Sequence, residues 1–199
     1  MSTLVSLQRS WTAAIVCGAA WALSAIPALV FSVEGTGAPG SAADFFIETM
    51  HFIAEACILL ALPAYRARQM QGYGRLGEAG YVLAFFGNAL IFIVTLLFVL
   101  LLFGGALARV DVGAQIGEAL PTILFMAGLA GIVIGFPMLG IATIRARVFP
   151  WWSGALMIAY PIQFFFSLGN YALWLAVGVL WLGLGAALKS QAIAEPAAN

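Results

Sequence analysis

The chain has 199 residues, of which 64% are hydrophobic and 8% charged, about a third of the charged fraction usual in soluble domains. A water-soluble fold of this length cannot hide so much apolar surface. The formal net charge is zero and no run of like charges occurs. That excludes the clustered basic face that neutralises nucleic-acid phosphates or anionic head groups, so the expected surroundings are a lipid bilayer with no nucleic-acid partner.

Arg9 stands ahead of an apolar run with small residues from Ala22 to Ala25, the outline of a secretory signal. The run from Ser10 to Val33 holds 24 uncharged residues, longer than a signal core and enough to cross roughly 30 Å of hydrocarbon. A first membrane helix is therefore expected from about Trp11 to Val33. The loop from Glu34 to Asp44 follows, rich in Gly and Pro and without a basic residue.

The second helix is expected over Phe45 to Tyr65, the third over Gly80 to Leu107, and the fourth over Leu120 to Ile144. Pro121 stands in the first turn of the fourth, where a missing N–H is harmless. Arg109, Asp111 and Glu118 mark the polar link between the third and the fourth, and Arg145 and Arg147 close the fourth. From Val148 to Leu188 come 41 residues without a charge, too many for one crossing and right for two. Ser167-Leu168-Gly169-Asn170 supplies the turn between them, giving a fifth helix over Trp151 to Leu168 and a sixth over Tyr171 to Leu188.

The expected fold is thus all-α, a polytopic bundle of six transmembrane helices forming one domain over residues 1–188, with a short disordered tail at 189–199. Cytoplasmic loops carry an excess of Lys and Arg. Arg9, Arg66, Arg68, Arg75, Arg145, Arg147 and Lys189 fall on one side of six crossings and only Arg109 on the other, which predicts both termini in the cytoplasm. Trp11, Tyr65, Trp151 and Trp152 then lie at the cytoplasmic interface, where amphipathic rings prefer to sit. Tyr65-Arg66-Ala67-Arg68 and Ile144-Arg145-Ala146-Arg147 echo each other, but topology alone accounts for basic residues there without a duplication.

Chemistry concentrates on the second helix. Glu48, His51 and Glu55, with Asp44 at the entrance, project within a sector of about 60° at the α-helical period. Glu55 is expected near the bilayer midplane, and the same face continues as Leu59 and Leu62, so the polar track stops halfway. A carboxylate at that depth must face the bundle interior or a water-filled cavity. Two readings follow: a half-channel or pocket open to the outside for a proton or small cation, with His51 as relay, or an interhelical hydrogen-bond cluster that holds the bundle together. Ser24, Thr95 and Gln163 are candidate neutral partners by depth. Pro27 and Pro161 leave the carbonyls of Leu23 and Met157 without helical partners, candidate cation ligands if they lie beside the carboxylates and ordinary kinks if not.

Several other sites are excluded or left bare. Glu48-x-x-His51 is one half of a di-iron bundle motif whose second half is missing, and His51 is the single histidine, which excludes a bis-histidine haem. A mononuclear metal site from Glu48, His51 and Glu55 is conceivable from spacing alone, but no metal or other cofactor is expected. Cys17 and Cys57 lie in apolar segments without metal-ligand spacing and read as small core residues. Nothing matches a phosphate-binding glycine loop, a zinc-protease helix or a serine nucleophile elbow.

Ala127, Gly131 and Gly135 recur at four-residue spacing on the fourth helix, a face for close packing within the chain, against a second copy, or against a membrane partner. Tyr81, Asn88 and Thr95 share one face of the third helix, and Ser153, Tyr160 and Ser167 one face of the fifth. The expected activity is a small transporter or ion- or proton-conducting protein with its half-pathway on the second helix. The alternative is a non-catalytic accessory or sensory subunit docked through the fourth. An enzyme acting on lipid or quinone is disfavoured, because groups capable of acid–base work are confined to one helix.

The stretch Arg145-Ala146-Arg147-Val148-Phe149-Pro150-Trp151-Trp152-Ser153-Gly154 resembles one that recurs in small multi-pass membrane proteins of bacteria. The segment from Leu62 to Gly87, with Tyr65, Arg68, Gly74, Gly77 and Gly80, is similar to an earlier hairpin of the same proteins. The resemblance implies six helices in a bacterial plasma membrane, in a family without an established activity, and it supplies no catalytic residues.

Overall fold

The computed structural model describes residues 2–30, 42–72, 74–108, 119–166 and 172–194. Every regular element among them is a helix: α1 (Ser2–Val30), α2 (Ala42–Gln69), α3 (Gly74–Ala108), α4 (Ala119–Ala146), α5 (Trp151–Ala159), α6 (Ile162–Phe166) and α7 (Ala172–Ala194). Four of them, α2, α3, α4 and α7, carry stretches long and apolar enough to cross a membrane, and α1 has a shorter apolar stretch over Trp11–Ile26. Helices satisfy every backbone polar group internally, which is what hydrocarbon demands. The outside of the molecule is apolar to match: Leu60, Phe86, Ile123 and Val179 are 63–67% exposed.

Several boundaries depart from the sequence expectation, and α3 begins at Gly74, six residues before Gly80. α1 begins at Ser2, about two turns before Trp11, and α2 continues past Arg66 and Arg68 to Gln69, because a charge marks the edge of the hydrocarbon and does not end a helix. α7 runs to Ala194, so the tail expected to be disordered from 189 is helical for six more residues. The single fifth helix is instead two pieces. At Tyr160-Pro161 the α-helix stops, and Phe164 N–H donates to the Pro161 carbonyl at 3.1 Å in a tighter turn. Pro161 has no N–H to give and its ring crowds the preceding turn. The expected turn at 167–170, the loop at 34–41 and the polar link at 109–118 lie outside the described residues.

The helices close into a ring. α7 packs on α1, α1 on α2, α2 on α3, α3 on α4 and α4 on α5, and α5 and α6 each return to α7 through a slighter contact. Glycines let three of these pairs approach closely. A Cβ on Gly18 of α1 would fall 2.6 Å from the Gly178 carbonyl oxygen of α7, one on Gly131 of α4 would fall 2.9 Å from Gly87 Cα of α3, and one on Gly140 of α4 would fall 2.5 Å from the Gly154 carbonyl oxygen of α5. Gly135 is tighter still, set directly against Ala84 of α3. The small-residue face of α4 is therefore used inside the chain, against α3. Its register is Gly128, Gly131 and Gly135, and Ala127 is exposed.

One end of the ring gathers the start of α1, the end of α2, the start of α3, the end of α4, the start of α5 and the end of α7. Lys189 of α7 lies 5.1 Å over the Trp11 ring of α1. Arg66 of α2 grips Glu78 of α3 at 2.8 and 3.0 Å. The Tyr65 ring lies 5.0 Å from that of Phe149, in the link between α4 and α5. Arg147, which follows α4, takes a left-handed φ of 54° that turns the chain toward α5. This basic end also closes the bundle half behind it. Ile58, Leu62, Leu139, Met157 and Leu184 are fully buried, and the Tyr65 hydroxyl donates to the Leu184 carbonyl at 2.6 Å. Nearer the same end, Thr143 donates to Gln69 Oε1 at 3.0 Å.

Candidate functional site

The opposite half of the bundle is hollow. A cavity of about 250 Å³ lies among α1, α2, α3, α4, α6 and α7, lined on α2 by Glu48, His51 and Glu55. From Glu48 to Glu55 is about 10 Å along a helix axis. Glu48 is half-buried, whereas Glu55 is 2% exposed and its Oε2 has no hydrogen-bond partner. The acidic face of α2 thus turns into the ring from the start of the hollow to its depth.

Of the neutral residues expected beside this face, two line the cavity. Gln163 on α6 is 4% exposed with Nε2 unpartnered, and Thr95 on α3 is 8% exposed with its hydroxyl donating to the Ile91 carbonyl at 3.1 Å. Ser24 is not among the lining residues. It is fully buried, and its hydroxyl donates to the Trp21 carbonyl at 2.8 Å. Leu23 and Met157, whose carbonyls the prolines were expected to free, do not line the cavity either, and α1 stays helical through Pro27. The side chain of Asp44 lies outside the described residues. Among the described residues no three His, Cys, Asp or Glu side chains converge as a metal site, so the spacing Glu48, His51, Glu55 does not fold into one here.

Sequence reasoning missed the aromatic part of the site. Trp21 of α1 and Trp174 of α7 clamp His51, each with its ring centroid 4.7 Å from the imidazole. Phe98, Phe125 and Phe164 add rings from α3, α4 and α6. Trp21 and Trp174 were not singled out, because the tryptophans legible in the sequence were Trp11, Trp151 and Trp152 only, as interface anchors. Trp21 sits three residues before Ser24, at the depth already singled out, and that was the available signal.

A second aromatic group is buried near the site without lining the cavity. Phe136 of α4, Tyr160 at the α5–α6 break and Trp181 of α7 are all under 2% exposed, with Phe136 and Tyr160 centroids 4.5 Å apart and Tyr160 and Trp181 5.8 Å apart. Tyr160 lies beside Gln163 and within electrostatic reach of Glu55. The Tyr160 hydroxyl and Trp181 Nε1 have no partners in hydrogen-bonding geometry. A partnerless buried polar group costs on the order of 1–3 kcal/mol, so the unpartnered Glu55 Oε2 at the cavity is costly for the fold.

Among the described residues, no Lys or Arg lines the cavity. The nearest basic residue along α2 is Arg66, at the far end of the helix and about 16 Å from Glu55 by helical rise. Among the described residues the arrangement is therefore acidic, aromatic-walled, hollow in one half and packed in the basic half. No protein-family model, no curated protein and no solved structure matches this chain.

Proposed function

We propose that the protein is a six-crossing membrane protein of the bacterial plasma membrane with both termini in the cytoplasm, and that it carries a proton or small cation through a half-pathway ending at Glu55. α1 and the broken α5–α6 pair supply the two crossings beyond α2, α3, α4 and α7. The basic end faces the cytoplasm on the excess of Lys and Arg there, which turns the acidic hollow to the outside. The observation that carries the reading is Glu55 itself: 2% exposed, with one carboxylate oxygen unpartnered, at the deep end of a cavity shared by six helices.

A buried carboxylate without a basic partner gains from a proton, from water or from a cation. Because the basic half is packed shut, passage requires that half to part, so the protein works as a slow, saturable carrier and not as an open pore. The accessory-subunit reading loses its docking face, since Gly131 and Gly135 already meet α3. In proteoliposomes, the protein is expected to give saturable proton or Na⁺ flux that Glu55→Gln abolishes. Flux equal to empty liposomes, or unchanged in the variant, removes the carrier reading.

A further inference from the structure

Resting on that reading, we infer that the hollow binds a compact organic cation, an ammonium carrying an aromatic or branched apolar group, with Glu55 as its counter-ion. Three features separate this ligand from an alkali or divalent ion. Inorganic cations need several converging oxygen ligands to replace their water. Here the lining side chains with oxygens are Glu48, Glu55, Thr95 and Gln163, while Trp21, Ile91, Val94, Phe98, Phe125, Phe164 and Trp174 make up most of the wall. A volume of about 250 Å³ is room for about eight waters at roughly 30 Å³ each, far beyond one bare ion and just below the usual drug-sized pocket.

Aromatic faces attract cations through the ring quadrupole, most strongly where water is excluded. The hollow combines such rings, drawn from five helices, with two carboxylates and, among the described residues, no basic side chain, so an anion is repelled and a neutral ligand leaves Glu55 unpaired. The unpartnered oxygen of Glu55 lies at the deep end, where an ammonium would sit. Trp21 Nε1 and Gln163 Nε2 are also unpartnered and belong to lining residues, so a ligand that adds one acceptor oxygen to its ammonium satisfies more of the site than a bare one.

The test uses the full-length protein in detergent micelles, with benzyltrimethylammonium as probe and neopentylbenzene as its uncharged isostere, followed by calorimetry and tryptophan fluorescence. Saturable binding of the ammonium is expected, weakened at least tenfold by Glu55→Gln. Trp174→Leu is expected to weaken it several-fold, and Trp174→Phe to restore most of the loss. Neopentylbenzene is expected to bind the wild type no better than the Glu55→Gln variant. The inference is overturned if the ammonium does not bind, if neopentylbenzene matches it, or if binding ignores both Glu55→Gln and Trp174→Leu. Should Glu55→Gln fail to fold, the Trp174 pair and the isostere decide. Glu55-dependent proton or Na⁺ flux without ammonium binding overturns the inference and leaves the carrier reading. Ammonium binding without any flux does the reverse.

Discussion

The two halves of this bundle are built from the same helices and solve opposite problems. In the basic half, α2 presents Ile58, Leu62 and Tyr65, all fully buried, and the Tyr65 hydroxyl is bonded to α7, while the buried Gln69 nearer the end of the helix is bonded through Oε1 to Thr143 and leaves Nε2 without a partner. In the acidic half, about two turns away, the same helix presents Glu48, His51 and Glu55 to a hollow, and the deepest carboxylate oxygen is left unpartnered. The first half is packed for stability. The second gives up packing and hydrogen bonds to keep polar groups available, the usual mark of a site whose missing contacts are supplied by something bound.

The sharpest way to break the comparison is to separate the helices that support both halves. Gly135→Leu forces a side chain into Ala84 of α3, where the obstacle is backbone and cannot move aside. Loss of the monodisperse folded species on size-exclusion chromatography is expected, a larger effect than any substitution below. A well-folded variant would mean that α3 and α4 are not held this closely.

Next in size is a pair of truncations, one in each half, compared by thermal unfolding in the same detergent. Leu139→Ala empties a fully buried position in the basic half and is expected to cost about 3 kcal/mol. Phe98→Ala removes a larger side chain at the hollow, where Phe98 is 50% exposed, and is expected to cost under about 1 kcal/mol because little packing is lost. Equal costs would erase the distinction between a packed half and a hollow one.

How much of this was legible beforehand follows the same division. The four long apolar helices α2, α3, α4 and α7 could be read because apolar runs must be about 20 residues long to cross hydrocarbon, and the α2 face could be read because a period near 3.6 brings 48, 51 and 55 together. What crosses from one helix to another could not be read. Depth placed Ser24 and Gln163 alike, yet rotation about the helix axis puts Gln163 on the hollow and turns Ser24 to its own backbone. Pro161 was visible as a lost donor, but not as the end of α5. The clamp of Trp21 and Trp174 on His51 joins residues 30 and 123 positions away in sequence, and one sequence holds no record of such pairings.

A smaller effect probes the polar brace. Tyr65→Phe keeps the ring against Phe149 and removes only the bond to the Leu184 carbonyl. About 1 kcal/mol of destabilisation is expected, read from the same unfolding curves. No change at all would mean that α2 and α7 are held in the basic half by packing alone.

The smallest stability change is expected at Glu55, and it bears most on what the hollow is for. If the carboxylate were structural glue, its loss would strand the groups it holds and cost several kcal/mol. Glu55 Oε2 has no partner to strand, so Glu55→Gln, nearly isosteric and uncharged, is expected to shift stability by less than about 0.5 kcal/mol in either direction while flux is lost. Thermal unfolding and flux on one preparation make the comparison direct. A variant that loses 2 kcal/mol or more would return Glu55 to the role of an interhelical tie, and the acidic half would then differ from the basic half only in how loosely it is packed.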